Sequence, residues 1–280
     1  MLVARNTTGE TSLKGIGQFN RVASAFDGIA DIFDTTLENE ITARLRSKLY
    51  SAIESLVSPG SIVLDINCGT GIDACFLAGR GYRMFGVDIS EKMIATAQMK
   101  QRSAECKNVE FRVSSYDSLS PGVVPEAELT FSNFGGLNCT SDLTAAANAI
   151  ASVTRPGGYF VGVIMPPFSL WEFLSYAARF QLRESLRRMH NSSPATGFHG
   201  STFPVYYYST KETVSAFAPH FEHIQTIGLS ILSPTPQSIQ FTRRHPVLTK
   251  SLIGIDSLIE RLPILRSIGD HYLIVLRRRQ

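Results

Sequence analysis

An apolar run closed by a carboxylate, then a glycine turn and a helix-compatible stretch, then a second apolar run closed by another carboxylate, constrains this chain more than any other feature. The first run is Ile62, Val63 and Leu64, ending at Asp65 within VLDINCGTG (63–71). Its turn holds Gly69 and Gly71, and DACFLAGRG continues with helical character. Glycines in a strand–turn–helix let backbone N–H groups approach a ligand at the helix N-terminus. The second run, RMFGV, ends at Asp88, 17 residues past Gly71. An acid near that spacing is placed to accept hydrogen bonds from ribose hydroxyls. The pair predicts a nucleoside-binding α/β protein.

The turn chemistry separates the candidate nucleosides. No Gly-Lys-Ser/Thr follows the turn, so a P-loop is excluded. A dinucleotide site needs G-x-G-x-x-G packed against a pyrophosphate. Here the order is Asp65, Asn67, Gly69, Gly71, and a carboxylate before the turn repels a pyrophosphate but suits a ligand carrying an amino group. The segment D65-I-N-C-G-T-G71 followed by Asp88 resembles the Asp-x-Gly-x-Gly-x-Gly signature of the class I S-adenosylmethionine-dependent methyltransferases. Asn67 stands where that family carries its first glycine. Asn tolerates positive φ better than other non-glycine residues, so the turn is expected to survive the replacement.

Three later segments extend the resemblance: FRVSSYDSL (111–119), LTFSNFGGLN (129–138) and RPGGYFVGVIM (155–165). Their likeness to the family's third, fourth and fifth strands implies Ser115 and Tyr116, with Asp117 beside them, along an adenine. It also implies Ser132, Asn133 and Phe134 beside the transferring methyl group. SNFGGLN is similar to the matching segment of quinone-biosynthesis and secondary-metabolite methyltransferases. The resemblance covers residues 20–165. It implies S-adenosyl-L-methionine as cofactor, S-adenosyl-L-homocysteine as product, and no metal. Asp65 is then expected near the cofactor's amino group, Asp88 on the ribose, Asn67, Gly69 and Gly71 along the methionine portion, and Ile89 and Met93 against the adenine. FDGIADIFD (26–34) resembles a segment that closes over the cofactor, with Phe26 and Phe33 in place of the tyrosines common there.

The pattern along the chain agrees. Strands at 61–66, 82–87, 108–113, 127–132 and 158–165 alternate with helices at 71–80, 91–104 and 141–154. Alternation of this kind predicts a Rossmann-like doubly wound sheet with ligands at the carboxyl ends of its strands. A sixth strand near 221–230 and an antiparallel last strand, HYLIVLRR (271–278), complete the expected core. The expected organisation is a tail and lid helices over 1–57, a core over 58–165, a cap insertion over 166–209, a core continuation over 210–230, a second cap insertion over 231–270, and the last strand and tail over 271–280.

Composition bounds the partners. A net charge of +3, with basic residues scattered in short clusters, argues against a nucleic-acid stripe. No apolar run is long enough to span a bilayer and no signal peptide is evident. Cys68, Cys75, Cys106 and Cys139 form neither a CxxC pair nor a zinc spacing, so the reading is a reduced, cytoplasmic, metal-free protein. Oligomeric state, monomer or homodimer, stays open.

After Met165 the alternation breaks. An amphipathic stretch, 169–189, precedes a loop and short hairpin, and the region is aromatic: Trp171, Phe198, Phe203, Tyr206, Tyr207 and Tyr208. Such a cap suits a planar or apolar small-molecule acceptor, with Phe26, Phe33, Trp171, Tyr206 and Tyr207 as candidate contacts. His199, in a glycine-flanked loop, is the candidate general base. The expected activity is methyl transfer to an O or N atom of a small molecule, with secondary metabolism as the setting. Transfer to carbon, a protein or tRNA acceptor, and a cofactor-binding protein of non-methylating activity stay open.

Overall fold

The computed structural model describes residues 20–102, 106–189, 192–196 and 202–280. Its strands are β1 (Ile62–Asp65), β2 (Arg83–Asp88), β3 (Val109–Val113), β4 (Ala127–Ser132), β5 (Thr154–Ile164), β6 (Ser192–Thr196), β7 (Thr202–Tyr206), β8 (Phe221–Leu229) and β9 (His271–Arg278). Seven of them form one sheet in the order β3-β2-β1-β4-β5-β9-β8, and β6 with β7 forms a separate hairpin. Strands β1 to β5 run parallel, and β9 runs antiparallel to both its neighbours. The Rossmann-like doubly wound sheet with an antiparallel last strand is therefore present.

Alternate side chains along each strand enter opposite layers, and both layers are apolar because helices cover both faces. Val63, Leu129, Phe131, Val161 and Leu273 pack with α3 (Glu40–Leu56), α4 (Ile72–Gly79) and α5 (Glu91–Arg102). Leu64, Phe160, Ile164 and Ile274 pack with α6 (Leu143–Val153) and α9 (Thr210–Phe217). The remaining helices are α1 over 20–27, α2 (Phe33–Leu37), α7 (Leu170–Ala177), α8 (Leu182–Ser185), α10 (Ile239–Arg244) and α11 (Pro246–Ile259).

Local chemistry sets the helix entries. The Asn39 side chain accepts from the N–H groups of Ile41 and Thr42 to start α3. Ser90 Oγ accepts from the Met93 N–H at 3.1 Å, and Asp142 accepts from the Ala145 N–H at 2.9 Å, as cap residues do. Gly71 starts α4 with φ +81°, and a Cβ there would sit 2.7 Å from the Phe111 ring. That conformation and that contact both require glycine.

One stretch is divided and one expectation fails. The amphipathic stretch 169–189 falls into pieces: α7 closes at Ala177, α8 restarts at Leu182, and a 3-10 turn spans Arg187–Met189. Phe180 sits between them at φ +58°, while the Gln181 N–H donates back to the Tyr176 carbonyl. This is a left-handed helix stop made without glycine, so residue type gave no warning of it. The cysteines are also not all reduced. Cys75 on α4 and Cys106 after α5 form a disulfide with Cα atoms 4.9 Å apart, while Cys68 and Cys139 are not disulfide-bonded. Helix packing over one sheet face joins two cysteines whose spacing matched no motif.

Candidate active site

The strand order reverses between β1 and β4, and a crevice at the carboxyl ends of parallel strands follows from that reversal. A cavity of about 360 Å³ lies there. It is lined by the turn after β1, by Asp88 and Ile89 after β2, by Ser114 to Tyr116 after β3, and by Asn133 and Phe134 after β4. Phe26 and Phe33 of the N-terminal segment and Phe203 and Val205 of β7 also line it, with the Phe26 and Phe203 ring centroids 5.6 Å apart. Because β9 is antiparallel, its first residue returns to this same rim: Tyr272 pairs with Ile164 at the end of β5, and His271 lines the cavity.

Asp88 is held in place by its neighbours' backbone. It accepts from the Gly69 N–H at 2.9 Å and from the Ser90 N–H at 2.9 Å, one on each oxygen. Burial pushes its carboxyl above the ordinary range, while those N–H groups pull it back. Each oxygen keeps a lone pair beyond its N–H bond, so the carboxylate fits a ribose diol.

Asp65 lies beneath the turn, 1% exposed, and is not among the lining residues. Burial first, then the charge of Asp73, push it well above the usual carboxylate range. Gly71 likewise faces Phe111 rather than the cavity.

Asn67 does not use the positive φ expected of it, since none is found there among the described residues. Its Oδ1 instead accepts from Ser132 Oγ at 2.6 Å, tying the β1 turn to the end of β4. Across from it, a Cβ on Gly136 would meet the Asn67 side chain at 2.4 Å. The glycine missing at 67 is matched by one present at 136.

Beneath the β4 end is a charged network that sequence reasoning missed. Asp73 accepts from Arg46, from Tyr50 Oη at 2.6 Å and from Asn133 Nδ2 at 2.8 Å. Arg46 is also paired with Glu38 at 2.9 Å, and its guanidinium lies 4.9 Å from the Phe134 ring centroid. Asn133 Oδ1 accepts from the Phe134 N–H, and Phe134 has φ +43°. The Asn133 side chain thus closes a tight turn that holds the bulky Phe134 at positive φ, a conformation uncommon for such a residue. Arg46 and Asp73 carry no motif spacing, so only the fold could bring them together.

The segment 26–34 works by paired residues seven apart. Phe26 and Phe33 face the cavity with ring centroids 6.4 Å apart. Their neighbours anchor the segment: Asp27 accepts from Ser90 Oγ and the Lys92 N–H, and Asp34 accepts from Thr70 Oγ1 and pairs with Lys100.

Of the sequence-predicted residues, Asn67, Gly69, Asp88, Ile89, Ser115, Tyr116, Asn133, Phe134, Phe26 and Phe33 line the cavity. Met93 does not; it is fully buried in a cluster with Ile29 and Ala30. Trp171 donates from Nε1 to Ser238 at 2.8 Å and packs on Phe241. Tyr206 and Tyr207 are also outside the lining, Tyr207 lying against Arg188. Strand alternation in β7 turns Phe203 and Val205 inward instead. His199 lies outside the described residues. Burial pushes the Cys139 thiol up to about 12 and Cys68 higher than usual, so neither cavity thiol is a thiolate near neutrality.

Residues 63–158 match the family described as "Methyltransferase domain". Over 78 residues the chain is 35% identical to the tRNA (uracil-5-)-methyltransferase homolog A of Mus musculus, covering 27% of this chain and 13% of that protein. Over 146 residues it is 30% identical to a demethylmenaquinone methyltransferase of Mycobacterium marinum, covering 50% of this chain and 57% of that protein. The chain thus spans about half the length of the second relative and far less of the first. Among solved structures, magnesium protoporphyrin IX methyltransferase from Synechocystis with bound S-adenosylhomocysteine superposes with TM-score 0.58 at 16% identity, over 94% of this chain and all of that one. Residues 63–158 thus match a methyltransferase domain, and the fold around them is the one seen in solved S-adenosylmethionine-dependent methyltransferases.

Proposed function

We propose that this protein binds S-adenosyl-L-methionine and moves its methyl group to an O or N atom of a small planar or apolar molecule. One observation carries the reading: a single cavity is lined both by the half-buried Asp88 carboxylate and by Phe26, Phe33, Phe134, Phe203 and Val205. The demethylmenaquinone relative supports a ring-bearing acceptor and leaves the accepting atom open. The carboxylate suits a ribose, and the aromatic and apolar side chains suit an uncharged flat acceptor.

When bound, the cofactor supplies a methyl group on a positively charged sulfur. Asp88 accepts from the ribose hydroxyls, Tyr116 and Ile89 flank the adenine, and Asn67 to Thr70 border the methionine portion. Asn133, fixed by Asp73, and Phe134, fixed by its own turn, shape the place where acceptor and methyl meet. Holding the two in line and excluding water is the main contribution such a site can make. The regions 166–209 and 231–270 act as caps over the strand ends, and secondary metabolism is the setting proposed for the reaction.

The acceptor class is tested by incubating the full chain with methyl-labelled S-adenosylmethionine and a cell extract, then separating small molecules, protein and RNA. Label in the small-molecule fraction is expected. Label confined to RNA or protein would overturn the reading.

A further inference from the structure

Outside the residues already assigned, the wall of the cavity carries one side chain with acid–base chemistry, and its setting is built rather than incidental. His271 is 6% exposed and lines the cavity beside Phe134, the two rings edge to face at 6.3 Å. Its Nδ1 lies 3.0 Å from Asp270 Oδ2. The other Asp270 oxygen accepts from Arg188 Nη2 at 2.6 Å, and Arg188 Nη1 donates to the Asp270 carbonyl at 2.9 Å. Arg188 also pairs with Glu172 of α7, which holds Arg187 as well, and it faces the Tyr207 ring. Phe134 in turn carries the Arg46 guanidinium, which is paired with Asp73 and Glu38. Burial opposes a charge on Asp270, yet His271 and Arg188 together hold it well below the usual carboxylate range.

Arg188, itself held by Glu172 of α7, thus keeps an ionised carboxylate behind one ring nitrogen. An ionised partner at Nδ1 fixes the tautomer with the proton on Nδ1 and leaves Nε2 as a bare acceptor. Among the described residues, Nε2 has no hydrogen-bond partner, and the ring stands next to the residues proposed to border the reacting methyl group.

Resting on the function proposed above, we propose that His271, oriented by Asp270, is the general base for an acceptor hydroxyl, so that the reaction is an O-methylation. The hydroxyl proton passes to His271 Nε2. The oxygen lone pair forms the O–CH3 bond as the S–CH3 bond of the sulfonium donor breaks, its electron pair going to sulfur. The imidazolium, stabilised by Asp270, then returns the proton to solvent. Asp270 is a positioning residue and Arg188 keeps it ionised.

The test uses the full chain with reduced 1,4-naphthohydroquinone as a planar hydroxyl probe. Native protein should give O-methylated probe, with kcat rising through one ionisation to a plateau. His271→Ala should lower kcat by about 10²-fold or more, added imidazole should restore part of the rate, and S-adenosylhomocysteine affinity should not change. His271→Asn keeps an N–H for Asp270 and so protects the fold; it should be equally slow. Asp270→Asn should displace the pH profile. Independently of turnover, nitrogen NMR of the native protein should find Nδ1 protonated and Nε2 bare. Carbon-methylated probe, the opposite tautomer, an undiminished rate in His271→Asn, or no product from protein that binds S-adenosylhomocysteine would each overturn the proposal while sparing the cofactor site. Failure of the native protein to bind S-adenosylhomocysteine would overturn the function on which it rests.

Discussion

Asn67 and Gly136 show how one residue's departure from a motif is absorbed by another 69 positions away. The Asn67 side chain occupies the space a Cβ on Gly136 would need, 2.4 Å from its nearest atoms. Overpacking of this kind costs about 1–3 kcal/mol. Gly136→Ala should therefore lower the thermal midpoint measurably, and Asn67→Gly should recover much of the loss when combined with it. A double-mutant cycle checks this, because residues in direct contact are non-additive; additive effects would show that the two do not share the space. The same pair marks what the sequence could tell. Asp88, Asn133 and Phe134 were legible because each ends a strand, and strand ends meet at one rim. Gly136 looked like part of a turn, and its partner was invisible without coordinates. His271 was legible only in part. It opens the last strand, and the antiparallel direction of that strand brings its start to the rim where the parallel strands finish. His199 drew attention for its loop, whereas His271 gains its place from topology.

At the level of elements, β1 to β4 and β9 fall within a residue or so of their expected bounds, because β1, β4 and β9 are apolar runs buried on both faces and the edge strand β3 alternates buried with exposed residues. The break at Phe180 was not legible, since a left-handed helix stop made by phenylalanine leaves no trace in residue type. The Cys75–Cys106 bridge was missed for a related reason: it depends on how α4 and the segment after α5 pack. It closes a loop of 31 residues, and constraint of the unfolded chain over that length is worth about 3–4 kcal/mol. Reduction, or Cys75→Ser with Cys106→Ser, should lower the thermal midpoint by roughly 5–10 °C. Scanning calorimetry with and without reductant measures it; an unchanged midpoint would show that the bridge contributes nothing to stability.

On the scale of the molecule, the sheet brings the β1 turn, the ends of β2 to β4 and the start of β9 to one cavity, and the segment 26–34 and β7 also line it. No described helix is long and apolar enough to cross a membrane. In the function proposed here this cavity is a cofactor site whose ribose-binding group is Asp88, and burial of that carboxylate gives a pH signature. The folded carboxyl of Asp88 is raised, so below that raised value the unliganded protein holds a proton which a ribose diol displaces. Ligand affinity should then grow as pH rises from the ordinary carboxylate range through the raised value, with proton release on binding in that window. By the same sign, the unliganded fold gains stability from this group as pH falls through it. The direct measurement is a calorimetric titration of S-adenosylhomocysteine into native and Asp88→Ala protein across that range. Binding to the native protein that tightens with pH, and a loss of about 2–3 kcal/mol or more in Asp88→Ala, are the predicted results. Equal affinity in the two proteins would contradict the account.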